Sequence, residues 1–389
     1  FNSLMISFLL LLFSSVIAER HYDRLYNELS QSIANAKIKG EENIEISKEL
    51  YYESEWKRDL APFQSGITRE MMGQLESLGN KYQIINHTVY RAKRCTFPAR
   101  CQGVDKFLTR LAHRLEDTEF VLNDFDNPKL TKRARPLPLF SFSKKEDDYW
   151  DILYPAWSFH SGGPAISIYP SGIGNWSETK EELSKYSSSH PWSTRESRGF
   201  FIGSRTNHQR DSLVLLSRRF PSLVDASFTK NQAYRSPQDT LNAEPSTERP
   251  FEYNCNYKYL FNFRGIAASF RFKYLLACGS TVFHLDDGWI EFFYRKLIPY
   301  YHYIPLKERE NNQKGLKTLL EYAIEHDEEM KKIGDNAHSW ISSHLDESSI
   351  DLYWIGLLSS YSSLLKFPIE RDVSLMKVSN EGSISSQFP

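Results

Sequence analysis

Two stretches of this chain follow the same plan, and that repetition restricts the fold more than any other feature. Phe200-Phe-Ile202 is a short apolar strand ending at Gly203-Ser204, RDSLVLLSRR (210–219) has helical periodicity, and SLVDASF (222–228) is strand-like again. YKYLFNF (257–263) then alternates as a strand and Arg264-Gly265 turns. IAASFRFKYLLAC (266–278) reads as a helix stopped by Gly279, and STVFHL (280–285) closes the second unit. Two successive β-α-β units predict a parallel, doubly wound α/β sheet with ligands beyond the carboxyl ends of its strands.

The residues at those strand ends suit an anion. Ser204, Arg205, Thr206 and Arg210 follow the first strand; Arg264, Gly265, small residues and Arg271 follow the second. Guanidinium forks beside a helix start make a diphosphate site, and Gly265, Ala267, Ala268 and Ser269 allow close approach. The chain lacks G-x-x-x-x-G-K-[ST] and G-x-G-x-x-G, the signatures of P-loop and dinucleotide folds. With 48 Lys+Arg against 49 Asp+Glu there is no overall basic field for nucleic acid.

Around this unit, residues 20–60 and 315–366 read as mainly helical. FVLN (120–123) and LPLFSF (137–142) read as strands, Val104–Leu115 as a helix, EELSKYSSSHPW (181–192) as an interdomain linker, and the stretch from about Ser374 as disordered. The domains expected are 19–185, 186–366 and a tail at 367–389. Residues 1–18 read as a signal peptide: the apolar run ISFLLLLFSSVIA (6–18) is too short to span a bilayer and ends in small residues, an interfacial anchor being the alternative. No later stretch is apolar enough to span, so a lumenal or secreted chain is expected. Four cysteines allow three pairings; the local pairs Cys95–Cys101 and Cys255–Cys278 are expected, and their spacing is too wide for zinc hooks. Sequons at Asn86 and Asn175 fit the same route.

The longer words of the sequence go further. NCNYKYLFNFRGIAASFRFKYLLACGSTVFHLDDGWIEFFY, GSRTNHQRDSLVLLSRRFPSLVDASFTKNQAY and DILYPAWSFHSGGPAISIYPSGIGNW, with CTFPARCQGVDKFL and LNDFDNP, closely resemble the protein O-glucosyltransferases of the Rumi type over residues 60–365. The resemblance implies a GT-B enzyme of the endoplasmic reticulum lumen, with two Rossmann-like domains facing a cleft and C-terminal helices closing back. Such an enzyme transfers glucose from UDP-glucose, with inversion and without a metal or other cofactor. The acceptor is serine in C-x-S-x-P/A-C motifs of folded EGF-like repeats, as on Notch. A monomer is expected. UDP-xylose as donor, and a catalytically silent EGF-repeat chaperone, are the alternatives.

Residue by residue, the resemblance puts the base on Asp126. It puts donor binding on Tyr169, Ser204, Arg210, Ile266, Ala267, Ala268, Ser269, Phe270 and Arg271. Acceptor contacts fall on Thr96, Phe97, Pro98, Ala99, Arg100, Ala165, Ile166, Ser167, Ile168, Tyr169 and Pro170. A carboxylate at a strand end, across from the departing diphosphate, suits a single in-line displacement. Asp124-Phe-Asp126 also spells D-x-D, read here as chance. Phe292, Phe293 and Tyr294 are expected as core or pocket wall. Ile202 stands where the family has Arg. Tyr51–Trp56 and Asp351 lack cysteines that would form two further bridges, and no KDEL-like signal ends the chain.

Overall fold

The computed structural model describes residues 24–41, 47–160, 168–169, 173–230 and 234–379. The expected signal segment, and Ala165, Ile166, Ser167 and Pro170, lie outside the described residues.

The first half builds a sheet from β1 (Asn80–Ile85), β2 (Thr88–Arg91), β3 (Thr118–Leu122), β4 (Leu139–Ser141) and β5 (Ile152–Leu153). Asn86 and His87, at φ 46° and 59°, form the two-residue turn between β1 and β2, where left-handed backbone matches the strand twist. β1 runs antiparallel to both β2 and β3, whereas β3, β4 and β5 are parallel. This sheet is therefore mixed and departs from the Rossmann-like pattern expected of it.

The second half keeps that pattern. β6 (Glu196–Gly203), β7 (Val224–Phe228), β8 (Tyr257–Asn262), β9 (Thr281–Asp286) and β10 (Ile304–Lys307) are all parallel, in the order β7-β6-β8-β9-β10. The order reverses between β6 and β8, and in open parallel sheets ligands bind at that switch point. Alternation along each strand feeds two cores. Phe201, Phe261 and Phe283 pack with Leu213, Leu216 and Leu319 on one face. Phe200, Leu260 and Val282 join a larger core, with Phe272 and Trp340, that runs on into the first half through Phe159, Trp176 and Tyr353.

Three expectations are corrected. The stretch 181–192 is largely helical and not irregular: Trp176–Ser189 is a helix, capped where Asn175 Oδ1 accepts from the Ser177 and Glu178 amides, with Trp176, Thr179 and Leu183 inward. Ser188 and Ser189 are exposed, while Ser187 Oγ donates to Cys278 O at 2.7 Å, so the polar run is a helix with one packed face and not a loop. The tail is ordered as far as β11 (Met376–Lys377), which adds antiparallel to the edge of β2. The helix expected over 266–278 spans only Phe272–Ala277. An earlier start needs the 265 and 266 carbonyls as acceptors, but Asn207 Nδ2 donates to Gly265 O and Arg264 Nη1 to Ile266 O, both at 3.1 Å.

The final helix, Glu347–Ser362, does close back on the first half. Tyr353 donates to Leu153 O at 3.1 Å, and Trp56 lies edge-on to Tyr353 at 5.5 Å. Asp351, at a position where a cysteine was expected, pairs with Arg110. Among the described residues, no helix is long and apolar enough to cross a membrane.

Candidate active site

The site has two ends. At the carboxyl ends of β6 and β8, Arg210 and Arg271 share one ring, their guanidinium carbons 5.5 and 5.2 Å from the centre of Phe201. Arg271 Nη1 donates to Ile202 O at 2.7 Å. Arg210 is 4% exposed and donates to the Ser204, Phe263 and Arg264 carbonyls at 2.5, 3.3 and 2.6 Å, leaving its Nε without a partner. Gly203 makes this possible, since a Cβ there would stand 2.1 Å from Arg271 Nη2. Arg264 pairs with Asp287 at 2.9 Å, and Arg205 with Asp211 at 2.6 Å.

Burial, with Arg271 and Arg264 beside it, holds Arg210 well below its usual value; burial alone brings Arg271 down to about 10. Arg271 therefore stays charged near neutral pH. Like charges brought together out of water repel, and an anion between them relieves that repulsion. The loop before the short helix adds donors. Among the described residues, the amides of Ile266, Ala267, Ala268, Ser269, Phe270 and Arg271 form no backbone hydrogen bond. Such a run of free amides makes an anion-binding concavity. Ser269 Oγ is committed to Asn262 Oδ1 at 2.6 Å, so only its amide is free.

At the other end, Asp124 and Asp126 follow β3 and do different things. Asp124 is 2% exposed, and its Oδ2 accepts from the Thr96 and Phe97 amides at 2.8 and 3.1 Å. It thereby fastens the loop closed by the Cys95–Cys101 disulfide, whose Cα atoms are 6.5 Å apart. The second pair, Cys255–Cys278, also forms. Asp126 is a third exposed, and Arg100 Nη2 donates to its Oδ1 at 3.0 Å while Nη1 donates to Asp124 O at 2.7 Å. Arg100 is itself held over Phe97 and Trp157, at 4.3 and 4.5 Å. One carboxylate is thus structural, and the other is aimed by a fixed guanidinium with an edge open to solvent.

A short link joins the two ends. Trp157 stacks on Arg100, and the adjacent Ser158 accepts from Lys273 Nζ at 3.1 Å, two residues beyond Arg271. Sequence reasoning passed over Lys273, Asn207 and Phe125, none of which sits in a motif of its own. Lys273 and Glu291 are both buried; burial pulls the ammonium down and pushes the carboxyl up, each opposed by the other's charge, and Glu291 Oε2 has no partner. The Tyr169 hydroxyl accepts from the Phe251 amide at 3.1 Å. Ile168 is 39% exposed beside it, while Phe292, Phe293 and Tyr294 are core, as expected.

Residues 50–387 match the family described as glycosyl transferase family 90. The chain belongs to that family. It is 47% identical over 324 residues to an O-glucosyltransferase rumi homolog of Aedes aegypti, covering 83% of this chain and 80% of that protein. To O-glucosyltransferase rumi of Drosophila melanogaster it is 46% identical over 326 residues, covering 83% and 79%. To protein O-glucosyltransferase 1 of Homo sapiens it is 45% identical over 317 residues, 80% of each.

Proposed function

We propose that this protein is an inverting UDP-glucose:protein serine O-glucosyltransferase. It acts on C-x-S-x-P/A-C motifs of folded EGF-like repeats, such as those of Notch, in the lumen of the endoplasmic reticulum. On this reading the halves face each other in a GT-B arrangement, 19–185 carrying acceptor and base and 186–366 the nucleotide. Arg210, Arg271 and the free amides of 266–271 bind the diphosphate of UDP-glucose. Asp126 takes the serine proton as the oxygen attacks the anomeric carbon from the face opposite UDP. The guanidiniums stabilise charge growing on the diphosphate, a task that a metal performs in other transferases. Tyr169 and Ile168 border the acceptor, and Asn86 and Asn175 are carriers of N-linked glycan.

The observation that carries this reading is the tie from Asp126 through Arg100 and Trp157–Ser158 to Lys273, which puts the carboxylate and the guanidiniums on one continuous frame. The silent-chaperone alternative had Ile202 as its ground. Arg271 is held by the Ile202 carbonyl, which any residue there would supply, and this favours an active enzyme.

The test incubates purified protein with a folded EGF-like repeat and UDP-glucose or UDP-xylose, then weighs the product. A hexose increment is expected. Asp126→Asn lowers kcat by about 10²–10⁴ while UDP still binds. Undiminished turnover in that variant would remove Asp126 as base.

A further inference from the structure

Around Asp126 the surface has a composition that a single hydroxyl does not require. Phe97 and Phe125 are 38% and 39% exposed and meet edge-to-face at 5.5 Å, one in the disulfide loop and the other next to Asp126. Two touching exposed aromatic rings mark a contact surface. Cations surround them. Lys93 and Arg94 immediately precede Cys95; Lys129, Lys132, Arg133 and Arg135 follow Pro128. All except the half-buried Lys129 are exposed. None of the six forms an ion pair among the described residues. Two of them rest on rings instead, Lys129 on Phe125 at 4.3 Å and Lys132 on Trp150 at 5.2 Å.

The facing acids do not cancel this charge. Asp124 is buried under the Thr96 and Phe97 amides, Asp126 is held by Arg100, Glu146 pairs with Arg295 at 2.7 Å and Asp148 with Lys145 at 3.3 Å, while Asp147 is exposed. The chain as a whole carries a net charge of −1, so the positive field here is local. Asp124 and Arg100 cross-link residues 96–100 to 124–126, and the cations flank that joined surface on both segments of the chain.

We propose that this face docks the acceptor protein, and that its cations select acceptors whose surface beside the target serine is acidic. The inference rests on the reading that Asp126 serves a protein hydroxyl, and it names the electrostatic class of that protein. Exposed cations act mainly by steering encounter, so their signature is salt-dependent capture and not turnover. The rings supply an apolar contact that salt does not weaken.

The test uses the full chain and two versions of one folded EGF-like repeat: a net-negative form, and the same repeat with exposed Asp and Glu outside the target loop changed to Asn and Gln. For wild type, the acceptor KM of the acidic repeat should rise several-fold between low and physiological salt. The neutralised repeat should start from the higher value. K93S/R94S/R133S/R135S should raise the acceptor KM about tenfold at low salt with kcat and donor KM retained, and should abolish the salt dependence. Phe125→Ala should raise the acceptor KM equally at every salt concentration. Equal KM for both repeats, or a fourfold variant that behaves as wild type, overturns the inference; a rise in donor KM instead assigns the cations to the nucleotide and overturns it too. Should wild type transfer no sugar, the proposed function fails, and binding of fluorescently labelled repeat decides the docking question. Salt-sensitive binding lost in the fourfold variant upholds this face, and equal binding rejects it.

Discussion

Gly203→Ala offers a sharp test of the guanidinium arrangement, because the first atom of any side chain there meets Arg271. An added Cβ stands 2.1 Å from Nη2, 2.9 Å from Cζ and 3.0 Å from Nη1. The obstacle is the end of a flexible side chain, so the guanidinium swings aside and the strand stays. That movement breaks the 2.7 Å bond to Ile202 O and takes a charge from the site. Overpacking of this kind costs about 1–3 kcal/mol of stability. A lost charge-assisted hydrogen bond to a diphosphate is worth about 1.5–3 kcal/mol, a 10- to 100-fold loss of UDP affinity. Isothermal titration with UDP and denaturant unfolding measure the two effects separately. In an Arg271→Ala background the atoms that Cβ would strike are gone, so Gly203→Ala should add little to either, a coupling of at least about 1 kcal/mol. If Gly203→Ala costs as much without Arg271 as with it, the close approach is not what holds Arg271 in place.

Three further outcomes are expected. Arg100→Lys keeps a charge but cannot span Asp124 O and Asp126 Oδ1 with one planar fork, so kcat/KM should fall roughly tenfold with stability nearly unchanged; wild-type kinetics would show that Arg100 does not aim the carboxylate. His284 and His302 are buried and held down to about 3, so both stay neutral in the folded protein while the unfolded chain protonates them below about pH 6.5. Folding stability should therefore fall as pH drops from about 6 toward 4, by up to about 2.7 kcal/mol per pH unit from this pair. His302→Gln should halve that part of the slope in urea unfolding, and an unchanged slope would refute it. Replacing Cys95 and Cys101 with serine opens a short loop and should cost about 2 kcal/mol. Because the Asp124 bonds to Thr96 and Phe97 remain, the acceptor KM should rise only a few-fold; complete loss of acceptor binding would show that the disulfide alone orders the loop.

Much of the second half was legible in the chain. Alternating Phe and Tyr along 200–202 and 257–263 marked strands of a two-faced sheet, and the arginines after them marked charged strand ends, because strand period and charge are local properties. The same local logic misread 181–192 and 266–278. A serine-rich run looks like a loop until Trp176, Thr179 and Leu183 find something to pack on, and the helix after β8 starts late because Asn207 and Arg264 hold carbonyls that its first turn would need.

The sequence by itself determined the parallel unit, both disulfide partners and the identity of the charged groups. Only the tertiary structure gave Asp124 and Asp126 different physical surroundings. Two identical side chains in one D-x-D word became a buried anchor and an open carboxylate, because one faces backbone amides across a closed loop and the other faces Arg100 at the rim. What a carboxylate can do depends on which donors surround it, and those donors come from residues 24 or more positions away.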